Sequence, residues 1–321
     1  MRVLIADALD TACVAALTNT AGLELEIDDT LKDAALTQKI AEFQPEVIIV
    51  RSTKVKEEQM DAAENLKLVI RAGAGTNTIA CAYAKEKGIA VCNCPGCNSD
   101  AVAELTIGLA VAQDRHIADC VNDLRNNQWN KKKYSKARGF KNREWGIIGF
   151  GAIGKGVAVR MLAFGMNIHV FDPFCPQEVA DEMGVTLHPS PIDVVANSDW
   201  ISVHVPAIPG KTEGMVNDEF IAAMRDGAVV LNMSRGSIVN DEALLKGLNE
   251  KNIYACLDVF NGEPAAKVAE FESPLASHPR VYGTHHIGAS TGQATLAVGE
   301  RVVEIAHAFL ENGATPYRVN K

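Results

Sequence analysis

Two groups of residues have the types and spacing that chemistry requires, and the first is a glycine motif. Gly149, Gly151 and Gly154 follow an apolar stretch in the order Gly-x-Gly-x-x-Gly and open a helical pattern. Such glycines allow a tight turn, a close approach of the backbone to a pyrophosphate, and close packing of helix on strand. The amides of Ala152 and Ile153 at the helix start could then bind phosphate. The motif predicts a dinucleotide site.

A carboxylate further along bears on which dinucleotide binds. Asp172 ends the next apolar stretch, where it can accept hydrogen bonds from the adenosine ribose and would repel a 2′-phosphate. The three residues after it, Pro173, Phe174 and Cys175, include no arginine that could neutralise such a phosphate. We therefore expect NAD rather than NADP.

The second group consists of a cation, a carboxylate and an imidazole in the second half of the chain. Arg235, Glu263 and His286 occur in LNMSRGSIVNDEAL, LDVFNGEP and THHIGAST, each at the end of a predicted strand. Hydride transfer between a 2-hydroxy acid and NAD needs a cation to orient the substrate and a general acid or base for the hydroxyl proton. Arg235 could be the cation and His286 the acid, with Glu263 raising the imidazole pKa and fixing its tautomer. Each residue alone is more often structural, so the prediction rests on their occurring together.

The elements that must position these residues alternate along the chain in the manner of a parallel α/β protein. A long helix is predicted over 99–127, a polar basic loop after it, and a final helix over 292–311. The strands are predicted over 2–6, 23–27, 47–50, 68–71, 90–93, 145–148, 167–171, 200–205, 228–232, 253–259 and 281–284. The ligand crevice of such a sheet is expected at the carboxyl ends of its strands.

Composition excludes several classes of protein. The chain has 31 basic and 40 acidic residues and a net charge of −9, which argues against nucleic acid or an anionic membrane as partner. It has no apolar run long enough to span a bilayer and no secretory signal pattern. Its eight cysteines are scattered, so reduced thiols and a cytoplasmic location are expected.

One cysteine cluster needs separate weighing. Cys92, Cys94 and Cys97 resemble part of a metal site, but no second Cys or His pair of suitable spacing follows. We favour small residues in a tight turn around Pro95 and Gly96, and no metal is predicted.

Taken together, these segments resemble the D-isomer-specific 2-hydroxyacid dehydrogenase family over nearly the whole chain. The resemblance is carried by the glycine motif, RSTKV, RAGAGTNTI, GCNSDAVAELT, SRGSIVNDEAL, LDVFNGEP and HIGAST. It implies catalysis by Arg235, Glu263 and His286. Motif and resemblance together give these cofactor contacts: Gly149, Gly151, Ala152, Ile153, Gly154, Asp172, Val205, Met233, Ser234, Asp258, His286 and Gly288. The implied substrate contacts are Arg51, Ser52, Arg71, Gly73, Ala74, Gly75, Asn98 and Arg235.

The resemblance also implies an architecture. Two Rossmann-like, doubly wound parallel-sheet domains are expected, with a discontinuous, flavodoxin-like substrate domain over 1–98 and 286–321. The NAD-binding domain over 99–285 is inserted in it. A homodimer through the cofactor domain is expected, and the two domains use the whole length, so no regulatory domain is expected.

The sequence departs from the family pattern at three positions. His285 stands where Pro is usual, Asn240 where Asp is common, and Val205 where Thr is frequent. The first departure leaves two histidines as candidates for the acid. We assign the role to His286 because it directly precedes Ile-Gly.

The resemblance also bears on the substrate class. The segments RSTKV and RAGAG resemble those of family members that act on a phosphate-bearing acid, which implies that Arg51 and Arg71 bind the phosphate, and arginine suits bidentate phosphate contacts. The basic residues 131–133 either add to this grip from a partner subunit or form a solvated loop. The expected reaction is NAD-linked oxidation of 3-phosphoglycerate to 3-phosphohydroxypyruvate, as in serine synthesis. The alternatives are reduction of hydroxypyruvate or glyoxylate and, less favoured, an NAD(H)-sensing corepressor-like binding protein.

Overall fold

The chain divides into two compact units. The computed structural model describes residues 1–264, 266 and 268–321. Met1–Asn98 and Ala289–Lys321 form one unit, here called the discontinuous unit, and Ser99–Gly288 form the other, here called the inserted unit. The sequence places the second boundary slightly earlier, before His286, and the functional assignment of each unit stays a prediction.

The discontinuous unit contains a five-stranded parallel sheet in the order β2-β1-β3-β4-β5. This is a flavodoxin-like order. The strands are β1 Arg2–Ile5, β2 Glu24–Ile27, β3 Val47–Val50, β4 Leu68–Arg71 and β5 Ala90–Asn93. The helices are Thr11–Thr18, Asp33–Phe43, Glu57–Asp61, Cys81–Glu86 and Gly292–Asn312.

Central strand β3 shows why this sheet is covered on both faces. All four of its residues are apolar and buried, as expected of a parallel strand with helices on either side. Ile48 and Val50 belong to one apolar cluster, and Val47 and Ile49 to another that includes Val302 of the last helix. The last helix therefore completes a core that begins at the first strand.

The inserted unit contains a seven-stranded parallel sheet in the order β12-β11-β10-β9-β6-β7-β8. The strand order reverses between β6 and β9, the position at which such sheets bind ligands. The strands are β6 Glu144–Ile148, β7 Asn167–Phe171, β8 Thr186–Leu187, β9 Trp200–Val203, β10 Val229–Asn232, β11 Tyr254–Leu257 and β12 Val281–Gly283. The helices are Ser99–Asp114, Ile117–Arg125, Ala152–Ala163, Gln177–Met183, Pro191–Ala196, Asp218–Ala223 and Asp241–Glu250, with a 3₁₀ turn at Gly236–Ile238.

Two parallel sheets confirm the predicted fold class, but the long helix predicted over 99–127 is wrong. It is two helices, Ser99–Asp114 and Ile117–Arg125, separated by His116 in the left-handed conformation at φ 51°. The Asp114 carboxylate accepts hydrogen bonds from the amides of Arg138 and Gly139 (3.2 and 3.1 Å). This contact with a distant loop anchors the end of the first helix.

Strands β9 and β11 each end two residues before the sequence predicts, at Val203 and Leu257. None of the helices in the described part of the chain combines the length and the apolar character needed to cross a bilayer.

Candidate active site

The glycine motif forms a tight loop between β6 and the helix Ala152–Ala163. Gly149 has a φ of +94°, and a Cβ there would lie 2.6 Å from the carbonyl oxygen of His204. A Cβ on Gly154 would lie 2.2 Å from the carbonyl oxygen of Gly149. Gly151 is the N-cap of the helix, and no side chain caps it. Within the described part of the chain, no side chain accepts a hydrogen bond from the first helical amides, and such free amides are suited to binding phosphate.

Asp172 is fixed against this loop. One carboxylate oxygen accepts the amide of Phe150 at 2.7 Å, and the other accepts the amide of Phe174 at 2.8 Å. Each oxygen retains a further lone pair that a ribose hydroxyl could use. The carboxyl ends of β6 and β7 thus hold a glycine loop, uncapped amides and a carboxylate side by side, and these residues fit a dinucleotide.

His286 and Glu263 form a close acid–base pair. Their Nδ1 and Oε2 atoms are 2.6 Å apart, and the other oxygen of Glu263 accepts the amide of Phe260 at 2.7 Å. The bond from Glu263 raises the pKa of His286 above its ordinary value, against the opposing effect of burial. Burial alone would raise the pKa of Glu263, but its bonds to His286 and Phe260 outweigh that effect and lower it. The pair therefore favours imidazolium beside carboxylate.

Arg235 lies close enough to this pair for its charge to act on both members. Its charge opposes the rise in the pKa of His286 that the bond from Glu263 causes, and it adds to the bonds that lower the pKa of Glu263. Its guanidinium donates to the carbonyl of Ser234 at 2.7 Å, and its own carbonyl accepts from the buried Asn232 at 2.8 Å. The three residues predicted from sequence are thus brought together at the carboxyl side of the inserted unit's sheet.

The segment that carries His286 is held by Asp258, which is only 2% exposed. One oxygen of its carboxylate accepts from the hydroxyl of Thr284 (2.6 Å) and the amide of Ile287 (2.8 Å), and the other accepts from the amide of Gly288 (2.8 Å). The amide of His286, at φ 53°, donates to the carbonyl of Asp258 at 2.7 Å. Asp258 and Gly288 therefore position the imidazole, and the cofactor contacts expected of them stay predictions.

Three other residues predicted for the cofactor line the same edge. Val205 follows β9 and packs on Gly149, where a Cβ would meet its side chain at 2.9 Å. Met233 and Ser234 follow β10. Met233 is buried, and the hydroxyl of Ser234 donates to the carbonyl of Val203 at 3.0 Å.

In the discontinuous unit, Arg51 and Ser52 follow β3 on a loop that Asp7 holds. The Asp7 carboxylate accepts the amides of Arg51 (2.7 Å), Ser52 (2.9 Å) and Thr53 (2.8 Å), and the ammonium of Lys32 at 3.0 Å. Burial would raise the pKa of Asp7, but these bonds lower it to about 2. Sequence reasoning missed this positioning residue, although an acid directly after the first apolar strand was an available signal.

Arg71 ends β4, and its guanidinium folds over Gly73, occupying the space that a Cβ would need. The carbonyls of Gly73 and Ala74 accept hydrogen bonds from the Cys94 amide (2.9 Å) and the Asn93 side chain (2.5 Å). Among the described residues, no acceptor meets the amides of Ala74 and Gly75. The loop thus presents donors suited to a carboxylate and is fixed by Asn93 at the end of β5 and by Cys94 after it, close in sequence to the half-buried Asn98.

Comparison with known proteins identifies the family. Residues 107–288 match the model of the D-isomer specific 2-hydroxyacid dehydrogenase, NAD binding domain. The chain belongs to this family, and the predictions of family and of an NAD cofactor are confirmed.

Among relatives, D-3-phosphoglycerate dehydrogenase of Methanocaldococcus jannaschii is 38% identical over 95% of this chain and 56% of its own length. The chain thus spans about half the length of that relative. Hydroxypyruvate reductase of Thermotoga maritima is 40% identical over 94% of this chain and 96% of its own length. The NAD⁺-bound structure of 3-phosphoglycerate dehydrogenase from Entamoeba histolytica superposes with a TM-score of 0.81 at 26% identity, covering 100% of this chain and 99% of that one.

Proposed function

We propose that the protein interconverts a D-2-hydroxy acid and its 2-oxo acid with NAD. The observation that carries this proposal is the His286–Glu263 pair, 2.6 Å apart and held with Arg235 in the unit that contains the NAD-binding domain. Interconversion of a 2-hydroxy acid and a 2-oxo acid needs a group that acts as an acid in one direction and as a base in the other. It also needs a partner that stabilises the charged form of that group, and a cation for the substrate carboxylate. The three residues meet these needs.

A nicotinamide cofactor, held by the glycine loop and Asp172, would supply or accept the hydride. In reduction, Nε2 of protonated His286 donates a proton to the carbonyl oxygen, and in oxidation neutral His286 accepts the hydroxyl proton. No described residue makes a hydrogen bond to Nε2 of His286, while Glu263 binds Nδ1 and stabilises the imidazolium. Arg235 orients the substrate carboxylate and polarises the carbonyl.

For the substrate we propose 3-phosphoglycerate, which makes the protein a D-3-phosphoglycerate dehydrogenase acting in serine synthesis. Arg51 supports this reading because its backbone is fixed by Asp7 while its exposed side chain pairs with no acid among the described residues. A guanidinium so placed suits bidentate contact with phosphate. The second candidate is hydroxypyruvate or glyoxylate reduction, favoured by the Thermotoga maritima relative, whose length this chain matches.

A substrate panel with NADH decides between the two. We expect kcat/KM to be higher for 3-phosphohydroxypyruvate than for hydroxypyruvate or glyoxylate. Arg51→Gln should lower it for the phosphorylated acid alone, by roughly ten- to a hundredfold, the worth of a hydrogen bond between charged groups. Lys67→Gln is the control for loss of one positive charge, because Lys67 precedes β4 at the amino end of the strands and pairs there with Glu46 at 3.0 Å. Equal losses on all substrates would refute the role of Arg51.

The helix Ile117–Arg125 supports the proposal of a homodimer through the inserted unit. None of its residues is buried, and Ile117, Val121 and Leu124 on one side are 45%, 39% and 56% exposed. Trp129 beyond it is 82% exposed. A second copy would cover this apolar face. Leu124→Glu should yield monomers in light scattering, whereas Val159→Glu, also on an exposed apolar residue of a helix, should not.

The basic residues 131–133 lie beside this face. Lys133 pairs with Asp123 at 3.2 Å within its own unit, so only residues 131 and 132 remain for the proposed contribution to a partner's substrate. The eight cysteines are free thiols, which supports the proposed reducing, cytoplasmic location.

A further inference from the structure

The cysteines after β5 form a Cys-x-x-Cys segment that the proposed reaction does not use. The segment is Cys94-Pro95-Gly96-Cys97, with Gly96 at φ +77°. Proline second and a left-handed glycine third are typical of a type II turn, in which the first and fourth Cα atoms lie within about 7 Å of each other. A disulfide requires a Cα separation of about 4.4 to 6.8 Å. A turn of this type would bring the two cysteines to a separation that a disulfide can close.

The two thiols have different surroundings. Cys94 is buried, and its Sγ atom lies 3.5 Å from the carbonyl oxygen of Arg71 and 3.8 Å from that of Val298. Cys97 is partly exposed and packs against the apolar cluster to which Cys94 belongs. Burial raises the pKa of Cys94 to about 12, so this thiol does not react first. An accessible thiol beside a buried one is the arrangement of an attacking and a resolving cysteine.

Metal binding is the other chemistry that such a cluster could have. Among the residues that the structure describes, no group of three or more His, Cys, Asp or Glu side chains is arranged to hold an ion. Redox chemistry is therefore the better-supported reading of the cluster.

We propose that Cys94 and Cys97 form a redox-active pair that closes into a disulfide by exchange with a low-molecular-weight disulfide such as glutathione disulfide. The Cys97 thiolate attacks one glutathione sulfur, forming a mixed disulfide and releasing one glutathione thiolate. Cys94 then gives up its proton and attacks the Cys97 sulfur, releasing the second glutathione. The two protein thiols lose two electrons, and glutathione disulfide gains them.

Oxidation acts on the loop of residues 71–75. In the reduced protein the Sγ atom of Cys94 contacts the carbonyl of Arg71, and its amide donates to that of Gly73 at 2.9 Å. Turning the sulfur toward Cys97 breaks the first contact and shifts the turn next to Asn98. Resting on the proposed function, and on the amides of Ala74 and Gly75 as donors suited to an anionic substrate, we expect oxidation to raise KM for the 2-oxo acid severalfold with a smaller effect on kcat.

The test is redox titration of the 321-residue chain in glutathione buffers, followed by acid quenching, alkylation and peptide mapping. We expect two thiols to be lost per chain, a Cys94–Cys97 disulfide, and full reversal by dithiothreitol. Cys94→Ser should stop at a glutathione adduct on Cys97, and Cys97→Ser should leave Cys94 reduced. Cys175→Ser removes another half-buried thiol, in the other unit, and should leave the disulfide unchanged.

A stable glutathione adduct on Cys97 of the unaltered protein, or a disulfide between other cysteines, would overturn the proposal. A Cys94–Cys97 disulfide with unchanged KM would overturn its link to the substrate loop. Mapping needs no turnover, so it remains decisive even if no 2-oxo acid is reduced.

Discussion

Replacing Glu263 by Gln probes the acid–base pair with little change in shape. In the unaltered protein the Glu263 carboxylate accepts hydrogen bonds from two donors, the His286 imidazole at 2.6 Å and the amide of Phe260 at 2.7 Å. An amide side chain has one acceptor oxygen and presents its NH₂ group to the other position. Either the Phe260 amide faces a donor, or His286 is held in the wrong tautomer. In both cases the imidazolium loses its charged partner.

The size of the effect follows from that lost bond. A hydrogen bond between charged groups contributes about 1.5 to 3 kcal/mol. The side chains of His286 and Glu263 are 50% and 29% exposed, so solvent screening places the value at the lower end, about 1.5 to 2 kcal/mol. The expected loss in kcat/KM for reduction is therefore roughly 10- to 30-fold.

The pH profile gives a second, independent readout. Glu263 is the main cause of the raised pKa of His286. Reduction needs protonated His286 and falls as pH rises through that pKa, whereas oxidation needs neutral His286 and rises. Without Glu263 the pKa of His286 falls, so the fall in the reduction rate and the rise in the oxidation rate should both occur at lower pH.

The assay is initial rates of NADH consumption and formation across pH, with Glu270→Gln, an exposed glutamate seven residues further along the chain, as the control. An unchanged pH dependence in Glu263→Gln, or a loss matched by Glu270→Gln, would refute the role assigned to the pair.

Three further outcomes follow from contacts elsewhere in the molecule. Asp172→Ala should narrow the kcat/KM preference for NAD over NADP, and an unchanged ratio would mean that other residues select the cofactor. Gly154→Ala should abolish NADH binding in fluorescence titrations or unfold the protein, because its Cβ would lie 2.2 Å from the Gly149 carbonyl; normal binding would contradict the tight loop. Asp7→Asn should lower the free energy of unfolding by about 2 kcal/mol at neutral pH. Because the pKa of Asp7 falls from 3.8 to about 2 on folding, that difference should vanish as pH falls through this range, and a difference that persists would refute it.

Local sequence was sufficient for most strands and for the glycine motif. Alternating apolar stretches predict both parallel sheets, and the close contact of Gly154 with the Gly149 carbonyl lies within one strand–turn–helix unit. That Arg235, Glu263 and His286 lie together could also be predicted, since each follows a strand of the same sheet, and their chemical roles stay proposals.

Long-range contacts account for what local patterns missed. The helix predicted to continue past Asp114 stops there, where that carboxylate binds the amides of Arg138 and Gly139. The clamp of Asp258 on the segment before Ala289, and that of Asp7 on the loop after β3, likewise join residues far apart in the chain. No local periodicity encodes such pairings.

The most direct test of the account is the rate of 2-oxo acid reduction by His286→Gln. The unaltered protein should reduce 3-phosphohydroxypyruvate or hydroxypyruvate with NADH, and kcat of the variant should be lower by roughly 10² to 10⁴, as expected for loss of a general acid. Near-normal turnover by the variant would contradict the account and transfer the role to His285.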